Sequence, residues 1–185
     1  MFAAIQAIDA SVLLWIQDVL RLPVLNSILL FFTQLGDSGF IWILISAILL
    51  CFKKTRKIGL LALVAMLLGL IFNNLLIKNL VARPRPYETV IGAIPLIIEH
   101  DPFSFPSGHT CAAFAAAGVW FRGFQRKWVG VLGLVCAALM GFSRLYVGVH
   151  YLSDVLVGLL LGVLCSQVAW FMGQKFASKN GEQLK

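Results

Sequence analysis

The chain has 185 residues, 60% of them hydrophobic and only 12% charged, and its 15 basic residues against 8 acidic ones give a net charge of +7. That balance excludes an ordinary soluble domain, in which about half the residues are apolar, and points to a membrane protein. The basic excess therefore has to be read as membrane topology before it is read as affinity for nucleic acid, and no nucleic-acid partner is expected.

The first segment, MFAAIQAIDASVLLWIQDVL, has no basic start and carries Asp9 and Asp18 inside an apolar pattern, so a cleaved signal peptide is not expected. Gln6, Asp9 and Gln17 share one face at helical spacing, which suits an interfacial amphipathic helix over residues 1–21. The alternative is that this segment forms part of the first span. LPVLNSILLFFTQLGDSG supplies one short or tilted helix, and Phe40 to Phe52 the next. Ile58 to Ile77 is an almost unbroken apolar run of the length a helix needs to cross a bilayer. After a loop over residues 81–105, further candidates run from Ser107 to Phe121, Trp128 to Phe142 and Tyr151 to Met172, each bounded by charge, Gly or Pro. The expectation is an all-α polytopic bundle of about six membrane helices, forming a single domain over residues 1–185. Cys51, Cys111, Cys136 and Cys165 lie at wide spacings with no ligand pattern and read as small buried hydrophobes.

Alternate span ends sort the charges. One side receives Lys53, Lys54, Arg56, Lys57, Arg122, Arg126, Lys127, Lys175, Lys179 and Lys185. The other receives Lys78, Arg83, Arg85 and Arg144, with Glu88, Glu99 and Asp101 in the long loop. The positive-inside rule makes the first side cytoplasmic and the second periplasmic or extracellular.

Three distant segments meet at the outward face: KNLVARPRP at 78–86, FPSGH at 105–109 and SRLYVGVHYLSD at 143–154. Singly, their residues have plain structural explanations. Lys78 could snorkel, Ser107 could cap a helix, and Asp154 could bond a neighbouring helix end. Together they form a chemical set. Lys78, Arg85 and Arg144 supply cations, while Ser107 and the Gly108 N–H supply donors at a helix N-terminus, where the dipole also favours an anion. His150 and Asp154 stand at i and i+4, so on a helix the carboxylate reaches the imidazole, fixes its tautomer and makes the other nitrogen more nucleophilic. His109 is a second imidazole, able to give or take a proton. Arg83 reads as a rim or headgroup contact and His100 as a loop residue, and the acidic loop residues are too scattered to suggest a metal site.

These residues resemble the type 2 phosphatidic acid phosphatase superfamily of membrane lipid phosphatases, whose phosphate pocket is shared with vanadium-dependent haloperoxidases. Its three motifs are matched by Lys78 through Arg85 and Pro86, by Pro106 to His109, and by Ser143, Arg144, His150 and Asp154. The resemblance implies that His150 attacks phosphorus to form a phosphohistidine and that Asp154 orients it. His109 would protonate the leaving oxygen, while Lys78, Arg85, Ser107, Gly108 and Arg144 would hold the phosphoryl oxygens. It implies no metal and no other cofactor. The implied substrates are lipid phosphates or pyrophosphates in the membrane: undecaprenyl pyrophosphate first, then phosphatidic acid or phosphatidylglycerol phosphate. A lipid transporter or flippase would need the cations but not the His150–Asp154 pair or a second histidine. Haem or metal ligation by the histidines would leave the cations unexplained.

Overall fold

The computed structural model describes residues 2–179, so Lys185, assigned above to the cytoplasmic side, lies outside the described residues. The described chain is all helical apart from an isolated antiparallel bridge between Pro84 and Phe103. Helix α1 (Phe2–Trp15) continues as a π-helical turn, Ile16–Leu20. Helix α2 (Pro23–Leu35) starts with proline in its first turn, where the missing N–H costs nothing. A kink follows in which Ser38 and Gly39 both adopt positive φ, and α3 (Phe40–Leu50) leaves it in a new direction. Helix α4 (Arg56–Gly69) runs through a π-helical stretch, Leu70–Ile77, into α5 (Lys78–Val81). A single turn, α6 (Pro86–Thr89), begins the long loop, and α7 (Gly108–Gly123), α8 (Lys127–Tyr146) and α9 (Leu152–Lys179) complete the bundle.

Among the described residues four helical stretches are long and apolar enough to cross a membrane: Ala3–Leu20, Arg56–Val81, Lys127–Tyr146 and Leu152–Ser178. The pair α2 and α3, bent by 49°, raises the count to five if it forms one span. By this measure the six spans expected from sequence are not reached. Helix α7, with 16 residues, is shorter than a full span. Helices α4–α5, α8 and α9 overrun their expected ends because each continues past its apolar run into flanking polar residues, from Arg56 to Val81, Lys127 to Tyr146 and on to Lys179, whereas α3 stops at Leu50, two residues short.

Helix α7 is the centre of the bundle, packed between α4, α8 and α9, and its Ala113, Ala115, Ala116 and Ala117 are fully buried. Small side chains suit a helix surrounded by others, because between apolar helices in lipid close packing replaces the hydrophobic drive. The α7–α9 contact uses glycines one turn apart. A Cβ on Gly158 would lie 2.6 Å from the Ser107 carbonyl oxygen, and one on Gly162 2.5 Å from that of Cys111. Trp42 and Trp120 pack with ring centroids 5.6 Å apart in the same core.

The long loop is drawn back over the bundle end. The Ser104 N–H donates to the Arg83 carbonyl at 2.8 Å, and the Leu96 N–H to the Val147 carbonyl at 2.9 Å. Gly148, at φ +81°, turns the chain between α8 and α9. Helix α1 and the turn after it are fastened to the same end. Gln6 donates to the Tyr151 hydroxyl at 3.2 Å, Asp9 accepts from the Ser153 N–H at 2.9 Å, and Gln17 donates to the Gly92 carbonyl at 3.1 Å.

Candidate active site

The three motif segments converge. Lys78 opens α5, Arg85 caps α6, Ser107 caps α7, Arg144 lies in the last turn of α8 and Asp154 in the first turn of α9. Lys78, Arg85, Gly108, His109, Arg144 and His150 line one cavity of about 610 Å³. Arg85 and Arg144 are almost entirely buried, a costly placement for guanidinium groups that requires partners. Arg85 donates from Nε to the Asp101 carbonyl at 2.7 Å and from an Nη to the Val149 carbonyl at 3.0 Å. Arg144 donates to the Thr33 hydroxyl at 2.6 Å and pairs with Glu99, and Lys78 pairs with Asp101.

Glu99 and Asp101, set aside in the sequence as scattered loop acids, are therefore the carboxylates that face the cationic wall. Burial alone would raise the Glu99 pKa, but Arg144 beside it holds the carboxyl below its ordinary value. Lys78 and the Phe103 N–H do the same for Asp101 against its own burial. His100, between them, is an exposed loop residue as expected.

His150 does not sit on a helix with Asp154. Helix α9 begins only at Leu152, because the positive-φ turn at Gly148 delays it, and His150 occupies the connecting turn. The carboxylate still faces the ring. Nδ1 of His150 lies 3.5 Å from Asp154 Oδ2, beyond hydrogen-bond length, and has no hydrogen-bond partner. Burial, reinforced by Arg144, Arg85 and Lys78, holds the His150 pKa well below its ordinary value, so the ring is neutral at neutral pH. With Nδ1 turned to Asp154, Nε2 is the nitrogen left for chemistry.

Ser107 is fully buried and does not line the cavity. Its hydroxyl accepts from the Thr110 N–H at 3.4 Å and the Thr110 hydroxyl at 2.9 Å, while its own N–H donates to the Asp154 carbonyl at 3.1 Å. It caps α7 and ties that helix start to α9. Gly108 does reach the cavity, and a Cβ there would lie 3.0 Å from the Asn74 amide oxygen. His109 Nε2 stands 2.9 Å from Asp37 Oδ1, a carboxylate delivered by the α2–α3 kink. Sequence reading missed Asp37, because nothing in GDSG marks a contact 72 residues away.

Arg83 is not at the rim. It lies behind Asp154, donating to Asp154 Oδ1 at 2.7 Å and to the Ser153 hydroxyl at 2.8 Å. Its other Nη donates to Gln6 at 2.6 Å and Asp9 at 2.8 Å, and its guanidinium carbon sits 3.8 Å from the Tyr151 ring centroid. Arg83 and Arg85, two apart in RPRP, thus take separate partners: Arg83 joins Asp154 to Asp9, while Arg85 bonds the Val149 carbonyl and lines the cavity.

Three cations, two imidazoles and a buried carboxylate thus meet in the arrangement that the motif spacing implied. The PAP2 superfamily matches residues 58–177, which hold all three segments. The chain belongs to the PAP2 superfamily. It is 34% identical over 142 residues to an undecaprenyl-diphosphatase of Sulfolobus acidocaldarius, covering 77% of this chain and 68% of that protein. It is 35% identical over 158 residues to phosphatidylglycerophosphatase B of Bacillus subtilis, covering 79% and 74%. The crystal structure of the first transmembrane PAP2-type phosphatidylglycerolphosphate phosphatase from Bacillus subtilis superposes with a TM-score of 0.76 at 32% identity, covering 93% of this chain and 87% of that one. This PAP2 protein is accordingly an integral membrane phosphatase.

Proposed function

We propose that this phosphatase hydrolyses the phosphate or pyrophosphate headgroup of a membrane lipid through a phosphohistidine on His150. The observation that carries the lipid reading is the shape of the cavity. From the Lys78, Arg85, Arg144 and His150 end it continues between α3 and α4 along Ile43, Leu63, Leu67 and Leu70. An anionic headgroup and an apolar chain have their places in one continuous space.

In the first step Nε2 of neutral His150 bonds to phosphorus as the bond from phosphorus to the leaving oxygen breaks, and His109 gives that oxygen its proton. Asp154 faces the positive charge that the ring acquires. Water, deprotonated by His109, then attacks the phosphohistidine and releases inorganic phosphate. Lys78, Arg85, Arg144 and the Gly108 N–H hold the phosphoryl oxygens, with Ser107 fixing the helix start that presents them. Such donors speed reaction by stabilising charge that grows in the transition state.

The favoured substrate is undecaprenyl pyrophosphate, with phosphatidic acid and phosphatidylglycerol phosphate as alternatives, and the relatives named undecaprenyl-diphosphatase and phosphatidylglycerophosphatase B support lipids of these classes. The basic residues at Lys53–Lys57 and Arg122–Lys127 support an active site on the periplasmic or extracellular side, with α1 read as an interfacial helix there. Purified protein in detergent with EDTA is given a panel of these lipids, and phosphate release is measured for wild type and His150→Ala. Release lost in the variant supports the mechanism, equal release by both overturns it, and the ranking of kcat/KM decides the substrate. Single cysteines near Ala93 and in the Arg122–Lys127 turn test orientation. Labelling of only the latter by an impermeant reagent in intact cells reverses it.

A further inference from the structure

Asp9 is the one ionisable residue of α1, only 2% exposed, and outside every motif that the mechanism uses. A buried carboxylate is expensive unless it is paired and hydrogen-bonded. Asp9 is fully engaged: one oxygen accepts from the Ser153 N–H at 2.9 Å, the other from the Ser153 hydroxyl at 2.5 Å and from Arg83 at 2.8 Å. Arg83 in turn donates to Asp154 Oδ1 at 2.7 Å, while Asp154 Oδ2 accepts from the Tyr151 N–H at 2.9 Å and faces His150. The chain Asp9, Arg83, Asp154, His150 is continuous from the N-terminal helix to the nucleophile.

We infer that Asp9 is a positioning residue for the phosphatase reaction, holding the Arg83 guanidinium fork so that Asp154 keeps its orientation toward His150. Arg83 alone, on an extended backbone, has several places to go. Its two Nη atoms reach carboxylates on opposite sides, and Asp9 fixes the outer one, with Gln6 beside it at 2.6 Å and the Tyr151 ring beneath. The Arg83 cation between them offsets the repulsion of the two carboxylates, so Asp9 and Asp154 both stay in place only while Arg83 bridges them. The apolar residues that face outward, Ile5, Ile8 and Trp15 of α1 and Val19 of the turn after it, leave this segment in contact with lipid, so its seating on the protein depends on its polar face.

The inference rests on the reading of His150 as nucleophile and Asp154 as its orienting group. The test uses the full chain in detergent and compares Asp9→Asn, Arg83→Gln, the double variant and His150→Ala on one lipid phosphate, with thermal unfolding of each. Each single variant is expected to lose about 10- to 100-fold in kcat with KM within about twofold, the scale of groups that orient a catalytic ligand. The double variant is expected to lose no more than the worse single, because both act through one contact. Asp9→Asn with wild-type kcat, or losses that multiply in the double variant, overturns the inference. If Asp9→Asn does not fold, Arg83→Lys, which keeps the charge and loses the fork, is read by the same kcat and KM criteria. An active His150→Ala overturns the underlying mechanism instead, whereas an inactive His150→Ala beside a fully active Asp9→Asn overturns the role of Asp9 alone.

Discussion

Glu99→Gln separates two effects of one side chain, because the mechanism requires phosphate to take over a guanidinium that Glu99 already holds. Arg144 is fully buried and Glu99 is 20% exposed at the side chain, so their bond is charge-assisted but partly open to solvent. A hydrogen bond to a charged group contributes about 1.5–3 kcal/mol, and the exposed partner brings this to about 1–2 kcal/mol. Removing the competing charge should therefore tighten anion binding by about 5- to 30-fold. The same change leaves Arg144 with the Thr33 hydroxyl and only the more distant Asp37 as counter-charge, so the fold should lose stability by a similar amount. The assay is inhibition by inorganic phosphate and by vanadate in detergent micelles, together with Tm at several phosphate concentrations. The variant is expected to have a lower Tm, tighter inhibition and a larger rise in Tm per decade of phosphate. Inhibition that is unchanged or weaker, whatever the Tm, would refute the idea that Glu99 competes with the substrate for Arg144.

His109→Gln should slow the first step, read as the rate of phosphohistidine formation before turnover, by about 10²–10⁴-fold on a lipid phosphate and much less on nitrophenyl phosphate, whose leaving group needs no proton, and equal losses in that step on both would remove His109 as the general acid. Gly158→Ala places a Cβ 2.6 Å from the Ser107 carbonyl oxygen, and the forced separation of α7 and α9 should cost about 1–3 kcal/mol and lower activity. An unchanged Tm would show that this approach has slack. Glu99 and Asp101 have folded pKa values below their ordinary 4.5 and 3.8, so the stability they contribute is present above those values and lost as pH falls through the lower folded ones. Tm followed from pH 7 to 3 should therefore drop in the acid range for wild type and drop less for Glu99→Gln. Parallel curves would contradict the pairing.

The sequence and the structure agree where chemistry is written in local spacing. Lys78, Arg85, Gly108, His109, Arg144 and His150 reach one cavity because each motif sits at a helix end or in the turn beside one, and alternating spans bring those ends to one level. Of the two readings of Ser107 the cap is the one its hydroxyl makes, since a serine before an apolar run caps the helix, while its buried place off the cavity leaves the phosphate to the neighbouring Gly108 N–H. The residues that were not legible act across long stretches of chain. Asp9 meets Ser153 from 144 positions away, Thr33 meets Arg144 from 111, and Glu99 meets it from 45. No periodicity encodes such pairs; only the polar residue on an apolar helix marked Asp9 as unusual. Arg83 was misread because an arginine near a loop resembles a headgroup contact until Asp154 and Asp9 are seen on either side of it. The polytopic helix bundle was legible, while the exact count of spans was not: α7 is enclosed by other helices and need not be long, and the α2–α3 pair bends where two residues adopt positive φ.

The central claim is that phosphate passes through His150, and the most direct measurement is to look for it there. Enzyme mixed with a lipid pyrophosphate is quenched within the first turnover at alkaline pH, which preserves a phosphorus–nitrogen bond, and the peptide spanning Arg144 to Asp154 is analysed by mass. The account predicts one phosphoryl group on His150 that decays with further turnover and does not form in His150→Ala. A wild-type enzyme that turns over with His150 unmodified at every quench time, under conditions where phosphohistidine is shown to survive, would contradict it.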